Sequence, residues 1–389
     1  MPESVARLGI LGAGQLGHLL CAAARKLNVR TILVGAGPDD PVGGSPDETL
    51  YASCIDLKIL QDLVSRVDVI TFEKEAIPVN ALEFLIQAEQ AGQVAVHPSP
   101  RILLMLQNKG LQKRWLSDQA FPTAPFEILA PETANLYPQI ERFGLPLVQK
   151  ALQGGYDGRG VQILRTQQEC GNFWTGPSLI EQFVADRREL AVLVARNAQG
   201  ELRSYAPVEL RFDTTRNVLD LAQAPADIDA SITREALQLA ECVISRLRGI
   251  GVFAVEMFLT DDNTLLINEI SPRVHNAGHH TMESCLTSQF EQHVRAVCGL
   301  PLGATEQSMP AATLNLLCTP LLAPLCETGT RGYPISEAGL FLHWYGKRQA
   351  RTGRKLGHLT CLDTSTAEAA LRAGVAARRL GEFAEGLSP

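Results

Sequence analysis

Gly251-Val-Phe-Ala-Val-Glu256-Met-Phe-Leu259 and, after a turn at Asp261-Asp262-Asn263, Leu265-Leu-Ile-Asn268-Glu269-Ile270 read as the two apolar strands of a hairpin, each carrying one acid. With Asp262-Asn263 as a two-residue loop, Leu259 faces Leu266 and Glu256 falls opposite Glu269. Two carboxylates side by side in apolar strands repel and are costly to bury. A divalent cation removes that cost. An all-oxygen set that also meets phosphates indicates magnesium, as one or two ions. Asn268 adds a neutral oxygen. A pair of salt-bridged strand acids is the other reading, since arginines stand nearby in the chain.

The run Ser271-Pro272-Arg273-Val274-His275-Asn276-Ala277-Gly278-His279-His280 follows directly. Zinc is one reading of the histidines, but their spacing lies in a loop with no cysteine or acid at zinc distance. An anion pocket fits better. Arg273 supplies a two-pronged donor, and His275 with Asn276 orients a small planar oxyanion. Purely structural histidines are the plainer alternative.

Two glycine-rich segments extend the pattern. Lys150 ends the apolar strand Leu147-Val148-Gln149, and Gly154-Gly155-Tyr156-Asp157-Gly158-Arg159-Gly160 follows it closely. So many glycines cost conformational entropy. A flap whose backbone N–H groups must approach phosphates needs them, and Lys150 then points at the same phosphates. An ordinary glycine hairpin is the alternative, and no G-K-[ST] follows to make a Walker loop. Near the N-terminus, Gly12-Ala-Gly14-Gln15-Leu16-Gly17 is a G-x-G-x-x-G turn between a strand and a helix, a phosphate site in form. A dinucleotide-binding enzyme should carry an acid at the end of the second strand. Here that strand ends Leu33-Val34-Gly35-Ala36-Gly37. A mononucleotide phosphate, or a turn needed only for packing, fits better.

The chain has 389 residues, 46% hydrophobic and 20% charged, with a net charge of −7. That is globular composition long enough for two or three domains, and it argues against a nucleic-acid partner. Nine cysteines stand without C-x-x-C spacing. This argues against a disulfide framework or zinc site and suits reduced thiols in the cytoplasm. The start does not read as a signal peptide, and no apolar run is long enough to span a membrane.

The expected architecture is mixed α/β. Residues 1–100 alternate strand and helix: strands at Ala6 to Leu11, Thr31 to Val34 and Asp68 to Phe72, and helices at Leu16 to Leu27 and near Val79 to Gln90. That order predicts a parallel, doubly wound sheet. His97-Pro98-Ser99-Pro100 marks a boundary. Residues 101–300 open with a helix at about Arg101 to Gln119. They include a small lobe at about 121–184 and a long helix at Ser231 to Leu247. Residues 301–389 read as a small strand-rich module ending in an alanine-rich helix.

Together these motifs resemble the ATP-grasp superfamily. Within it, nearly the whole chain is similar to the N5-carboxyaminoimidazole ribonucleotide synthetase family. The resemblance is carried by G-x-G-Q-L-G at Gly12 to Gly17, Thr71-Phe72-Glu73 with Pro78, and G-G-Y-D-G-R-G at Gly154 to Gly160. It continues through N-E-I-x-P-R-x-H-N at Asn268 to Asn276, T-S-Q-F-E-Q-H at Thr287 to His293, H-x-Y-G-K at His343 to Lys347 and G-R-K-x-G-H at Gly353 to His358. Four motifs depart from the family pattern: Gln107-Asn108-Lys109 stands for Q-D-R, Val161 for a glutamine, Glu75-Ala76-Ile77-Pro78 for E-N-V-P and Ala277-Gly278-His279-His280 for S-G-H-W.

The resemblance implies an ATP-grasp fold with a Rossmann-like N-terminal domain and a C-terminal module that holds the substrate phosphate. It implies ATP as substrate, magnesium, no organic cofactor and a homodimer. Lys109, Lys113, Lys150 and the flap residues Gly155, Tyr156, Asp157 and Gly158 would meet ATP, with Asn268 beside the metal. Glu181 and Val184 would bind adenine, Glu189 the ribose, and Glu256 and Glu269 magnesium. Gln15, Leu16, Glu73, Tyr156, Asp157 and Arg159 would line the aminoimidazole ribonucleotide site, and Lys347, Arg354 and Lys355 its phosphate. Arg273, His275 and Asn276 would act on bicarbonate and carboxyphosphate. The implied reaction carboxylates aminoimidazole ribonucleotide at the expense of ATP. Competing classes are a formate-dependent ribonucleotide transformylase, a dehydrogenase on the N-terminal fold and a catalytically dead homologue.

Overall fold

Short apolar strands open the chain and pair in parallel. In the computed structural model, which describes residues 6–35, 37, 41, 46–51, 56–130, 132–133, 135–154, 160–213, 218–330, 333 and 337–386, the first sheet runs in the order Glu48–Leu50, Arg30–Val34, Arg7–Leu11, Val69–Phe72, Ala95–Val96. Helices Gln15–Lys26, Leu57–Arg66 and Val79–Gln90 connect the strands. Leu8, Ile10, Leu33 and Ile70 are fully buried. That suits parallel strands covered on both faces, which need continuous apolar runs.

The segment expected as one helix from Arg101 to Gln119 is two, Pro100–Leu106 and Lys109–Asp118. Asn108 breaks it. Its side chain accepts a hydrogen bond from the Leu111 backbone N–H and so caps the second helix. The second helix carries Lys109, which pairs with Glu269 of the hairpin, and Lys113, which pairs with Glu181.

A large antiparallel sheet follows, in the order Leu265–Ser271, Gly251–Leu259, Arg188–Arg196, Val208–Asp213, Val218–Ala224, Ala311–Leu317, Lys355–Leu362, Leu340–Trp344, with Leu202–Ser204 on the side of Arg188–Arg196. The C-terminal strands therefore continue the central sheet rather than form one of their own. Ala311–Leu317 covers what would be an open edge of Val218–Ala224. Helix Ala230–Leu247 lays Ile232, Ala236, Ala240, Val243 and Ile244 on the central strands. Helix Thr366–Glu385 does the same for the C-terminal strands through Ala369, Ala373, Ala376 and Leu380. Its start is fixed by the Ser365 hydroxyl, which accepts from the Glu368 N–H.

The key hairpin differs from its expected form in a way that leaves the acids aligned. Its loop has three residues, not two: Thr260 and Thr264 close it, and Asn263 takes a left-handed φ of 64°. Leu259 consequently pairs with Leu265 rather than Leu266. A bulge between Glu256 and Met257 in the register then absorbs one residue, Asn268, and Glu256 falls opposite Glu269. Loop and bulge each shift the pairing by one residue, and the shifts cancel. The bulge also lets the consecutive residues Asn268 and Glu269 both reach the cleft, which a regular strand forbids.

A smaller antiparallel sheet, Phe126–Ile128, Ser178–Gln182, Leu147–Ala151, Val161–Leu164, forms the lobe above the cleft. Thr123 ties it to the hairpin by donating to the Ile267 carbonyl at 2.7 Å. Among the described residues no helix is long and apolar enough to cross a membrane.

Candidate active site

Three carboxylates and three lysines meet where the two sheets face each other. Lys150, on the small sheet, places Nζ 2.6 Å from Glu181 Oε2 and 3.0 Å from Asn268 Oδ1 of the bulge. Lys113 Nζ lies 2.9 Å from Glu181 Oε1 and donates to Thr123 Oγ1 at 2.6 Å. Lys109 Nζ donates to Glu269 Oε2 at 2.5 Å. Burial alone would push the Glu181 carboxyl up, but Lys113 and Lys150 together hold it down at about 2. Glu269 is likewise held below its ordinary value: burial opposes, and Lys109, then Lys150 and Arg273, prevail. Gln112, fully enclosed, locks the bulged strand by accepting from the Ile270 N–H and donating to the Ile270 carbonyl.

The anion-pocket residues stand beside these acids. His275 Nε2 is 3.1 Å from Glu256 Oε1. The Ala277 N–H donates to His275 Nδ1, which leaves the proton on Nε2, facing Glu256. Both backbone groups of His275 are held by one side chain, Gln289: its Oε1 accepts from the His275 N–H at 2.8 Å and its Nε2 donates to the His275 carbonyl at 2.6 Å. Arg273 pairs with Glu75 at 3.0 Å. Asn276 starts a short 3-10 turn, and its buried Oδ1 has no partner in the described residues. His279 and His280 lie deeper. His279 stacks between Phe290 and His358, and His358 stacks on His343. Burial pushes the His280 imidazole down to about 3. Among the described residues no three or more His, Cys, Asp or Glu side chains are grouped as a metal site would need.

The N-terminal turn is not the phosphate cradle its pattern suggests. Gly12 has φ 122°, and a methyl group on Gly12 or Gly14 would run into the Glu73 carboxylate. The glycines clear space for that acid, which accepts from the Gly14 N–H at the helix start where a phosphate was expected. Burial pushes Glu73 above its ordinary value, with Arg273, Lys74 and Lys347 pulling the other way. Next to it, Lys347 Nζ donates to Gln15 Oε1 at 3.2 Å across 332 residues of chain. Leu16 is buried one position on. Lys355 is buried, and Arg354 donates to the Gln349 carbonyl at 3.1 Å. The N-terminal and C-terminal substrate-site candidates therefore meet at Gln15 and Lys347.

Residues 5–107 match the ribonucleotide synthetase preATP-grasp domain, 114–290 the ATP-grasp domain, and 311–372 the phosphoribosylaminoimidazole carboxylase C-terminal domain. An N5-carboxyaminoimidazole ribonucleotide synthase of Bacillus subtilis is 35% identical over 358 residues, 91% of this chain and 90% of that protein. The chain belongs to the N5-carboxyaminoimidazole ribonucleotide synthase family. The crystal structure of the Thermotoga maritima synthetase superposes with a TM-score of 0.82 at 35% identity, covering 97% of this chain and 98% of that one. An Aspergillus clavatus synthase solved with ADP and 5-aminoimidazole ribonucleotide gives 0.82 at 29% identity, covering 98% and 99%.

Of the residues singled out by family resemblance, Gly155, Tyr156, Asp157, Gly158 and Arg159 lie outside the described residues. The flap's ends, Gly154 and Gly160, both take positive φ, 78° and 73°. Lys109, which stands for a family arginine, reaches Glu269 with one ammonium where a guanidinium would offer a fork. Sequence reading missed Glu75 as the partner of Arg273, Thr123 under Lys113, and Gln289 behind His275. Gln289 was within reach, since it sits inside the motif Thr287 to His293. The others meet their partners only through packing.

Proposed function

We propose that the chain is an ATP- and bicarbonate-dependent carboxylase. It would convert 5-aminoimidazole ribonucleotide to N5-carboxyaminoimidazole ribonucleotide, with ADP and phosphate released, in purine synthesis. The observation that carries this reading is that Arg273 links three clusters, since its charge acts on both Glu269 and Glu73. The clusters are the lysine–acid group under the small sheet, Arg273-His275-Asn276 beside it, and Gln15-Glu73-Lys347 at the junction of the first and last segments. Its support is the family membership and the relative solved with ADP and 5-aminoimidazole ribonucleotide.

Glu256, Glu269 and Asn268 offer oxygens alone from facing strand positions. Two carboxylates suit magnesium, which takes its remaining ligands from water and phosphates. These residues would hold the ion, and its positive charge would offset that of the ATP phosphates.

Lys113 and Lys150 would face the phosphates, held by Glu181. The purine would lie along Glu181 and Val184, with its ribose on Glu189. Arg273, His275 and Asn276 would hold bicarbonate, whose oxygen attacks the γ-phosphorus as ADP leaves. The carboxyphosphate formed, or the carbon dioxide it releases, then meets the exocyclic amine. The C–N bond forms, phosphate departs and the amine loses a proton. Carboxyphosphate is short-lived in water, so the amine must already be in place and water excluded. A homodimer in the cytoplasm belongs to the same reading, and sedimentation velocity checks the dimer.

ADP release with 5-aminoimidazole ribonucleotide, with and without bicarbonate, tests the reaction. Bicarbonate-dependent release supports it, and turnover with formate instead would identify a transformylase. Lys355→Ala is expected to raise KM for the ribonucleotide at least about tenfold and KM for ATP less than about twofold, since a charge-assisted contact contributes roughly 1.5–3 kcal/mol. Equal effects would remove the C-terminal strand from the ribonucleotide site. His275→Ala is expected to lower carbamate formation more than ADP release, because the anion loses an orienting group. If both fall in step by less than about tenfold, a barrier change of roughly 1.4 kcal/mol, His275 is not a principal catalytic group.

A further inference from the structure

Residues 187 to 189 send their side chains in alternation. Arg188 turns away from the cleft, where its Nη2 lies 2.6 Å from Glu209 Oε2 and donates to the Asp227 carbonyl at 2.8 Å. Glu189 turns toward it. Glu189 pairs across the sheet with Phe258, and Ala191 pairs with Glu256, so Glu189, Phe258 and Glu256 share one face.

Arg187 is on the Glu189 side. Its guanidinium lies over two rings, 4.6 Å from the Phe258 centroid and 5.1 Å from that of Phe183. At its edge, Nη1 donates to the Val184 carbonyl at 2.7 Å and Nη2 lies 3.3 Å from Glu189 Oε1. Its Nε is buried and finds no acceptor among the described residues. A planar cation over two rings has little freedom left, so the groups on its edge are held with it. Burial pushes the Glu189 carboxyl up, and the nearby Glu256 adds to that. Arg187 is the first group that opposes it.

We propose that Arg187 is a positioning residue for the nucleotide. Held over Phe183 and Phe258, it fixes the Glu189 carboxylate and the Val184 carbonyl together, and so sets the preference for ribonucleoside over deoxyribonucleoside triphosphates. The proposal rests on the reading that the ATP ribose lies on Glu189. A merely structural arginine would tie down the same loop without distinguishing the two sugars.

Steady-state kinetics with ATP and with 2′-deoxyATP, at saturating bicarbonate and 5-aminoimidazole ribonucleotide, decide it. Arg187→Ala is expected to raise KM for ATP about tenfold and KM for 2′-deoxyATP less than about threefold, with kcat falling less than KM rises. Arg187→Lys keeps the charge over the rings but loses the fork, and should fall between Arg187→Ala and the unaltered enzyme. Should Arg187→Ala fail to fold, Arg187→Lys decides alone by whether the sugar preference drops. Glu189→Gln, measured alongside, tests the underlying reading. If Glu189→Gln lowers the preference for ATP and the Arg187 variants leave it unchanged, Arg187 is structural only and the proposal is overturned. If Glu189→Gln leaves the preference unchanged, the ribose lies elsewhere and the proposal falls with that reading.

Discussion

Glu269→Gln is expected to lower kcat/KM by about a thousandfold or more, a barrier change of roughly 4 kcal/mol, while the far-ultraviolet circular dichroism stays that of the unaltered protein. The amide keeps the shape of the side chain and loses its charge. Glu269 faces Glu256 across the hairpin and receives Lys109 at 2.5 Å. Its carboxyl is held below the ordinary range because Lys109, Lys150 and Arg273 outweigh burial. On the proposed reading an uncharged group there would weaken the hold on magnesium, and Lys109 would lose its charged partner. Isothermal titration of magnesium–ATP separates the two effects of metal binding and chemistry. Near-normal kcat/KM at low magnesium would remove Glu269 from the metal site.

Glu181→Gln should act on stability as well as activity. Glu181 is 2% exposed and joins two lysines on different elements, helix Lys109–Asp118 and strand Leu147–Ala151. Removing one partner of a buried ionic group leaves the others uncompensated, at a cost of about 3–5 kcal/mol. The pH dependence identifies the cause. The folded carboxyl titrates at about 2 against an ordinary 4.5. Between those values the unfolded chain binds a proton that the folded one does not. The stabilisation is therefore complete above pH 4.5 and is lost as pH falls toward 2. Urea unfolding of both proteins from pH 7 downward should show the stability gap between them narrowing in acid. A gap that stays constant to the lowest measurable pH would mean that the two lysines do not hold Glu181 ionised.

Much of the fold was legible because its signals are local. The helix Val79–Gln90 and the strands Arg7–Leu11, Arg30–Val34 and Val69–Phe72 follow apolar periodicity and end on glycine, proline or polar residues close in the chain. The acids of the hairpin and the Arg273-His275-Asn276 run were likewise readable, since each motif is contiguous and its chemistry follows from residue type.

What the chain alone settled, then, is which residues carry charge, which segments form strands and helices, and that they resemble one family of ATP-grasp ligases. Packing decided the rest. A three-residue loop shifts the register by one, and the bulge at Asn268 restores it so that Glu256 pairs with Glu269. Glu73 fills the glycine turn because strand Val69–Phe72 lies beside Arg7–Leu11 and delivers that carboxylate to the helix start. Lys113 and Lys150 share Glu181, and Lys347 reaches Gln15, only after distant segments are folded against one another. Periodicity reports on neighbours a few residues apart. Register, the occupant of a turn and the partner of a buried charge depend on contacts that exist only once the core has closed.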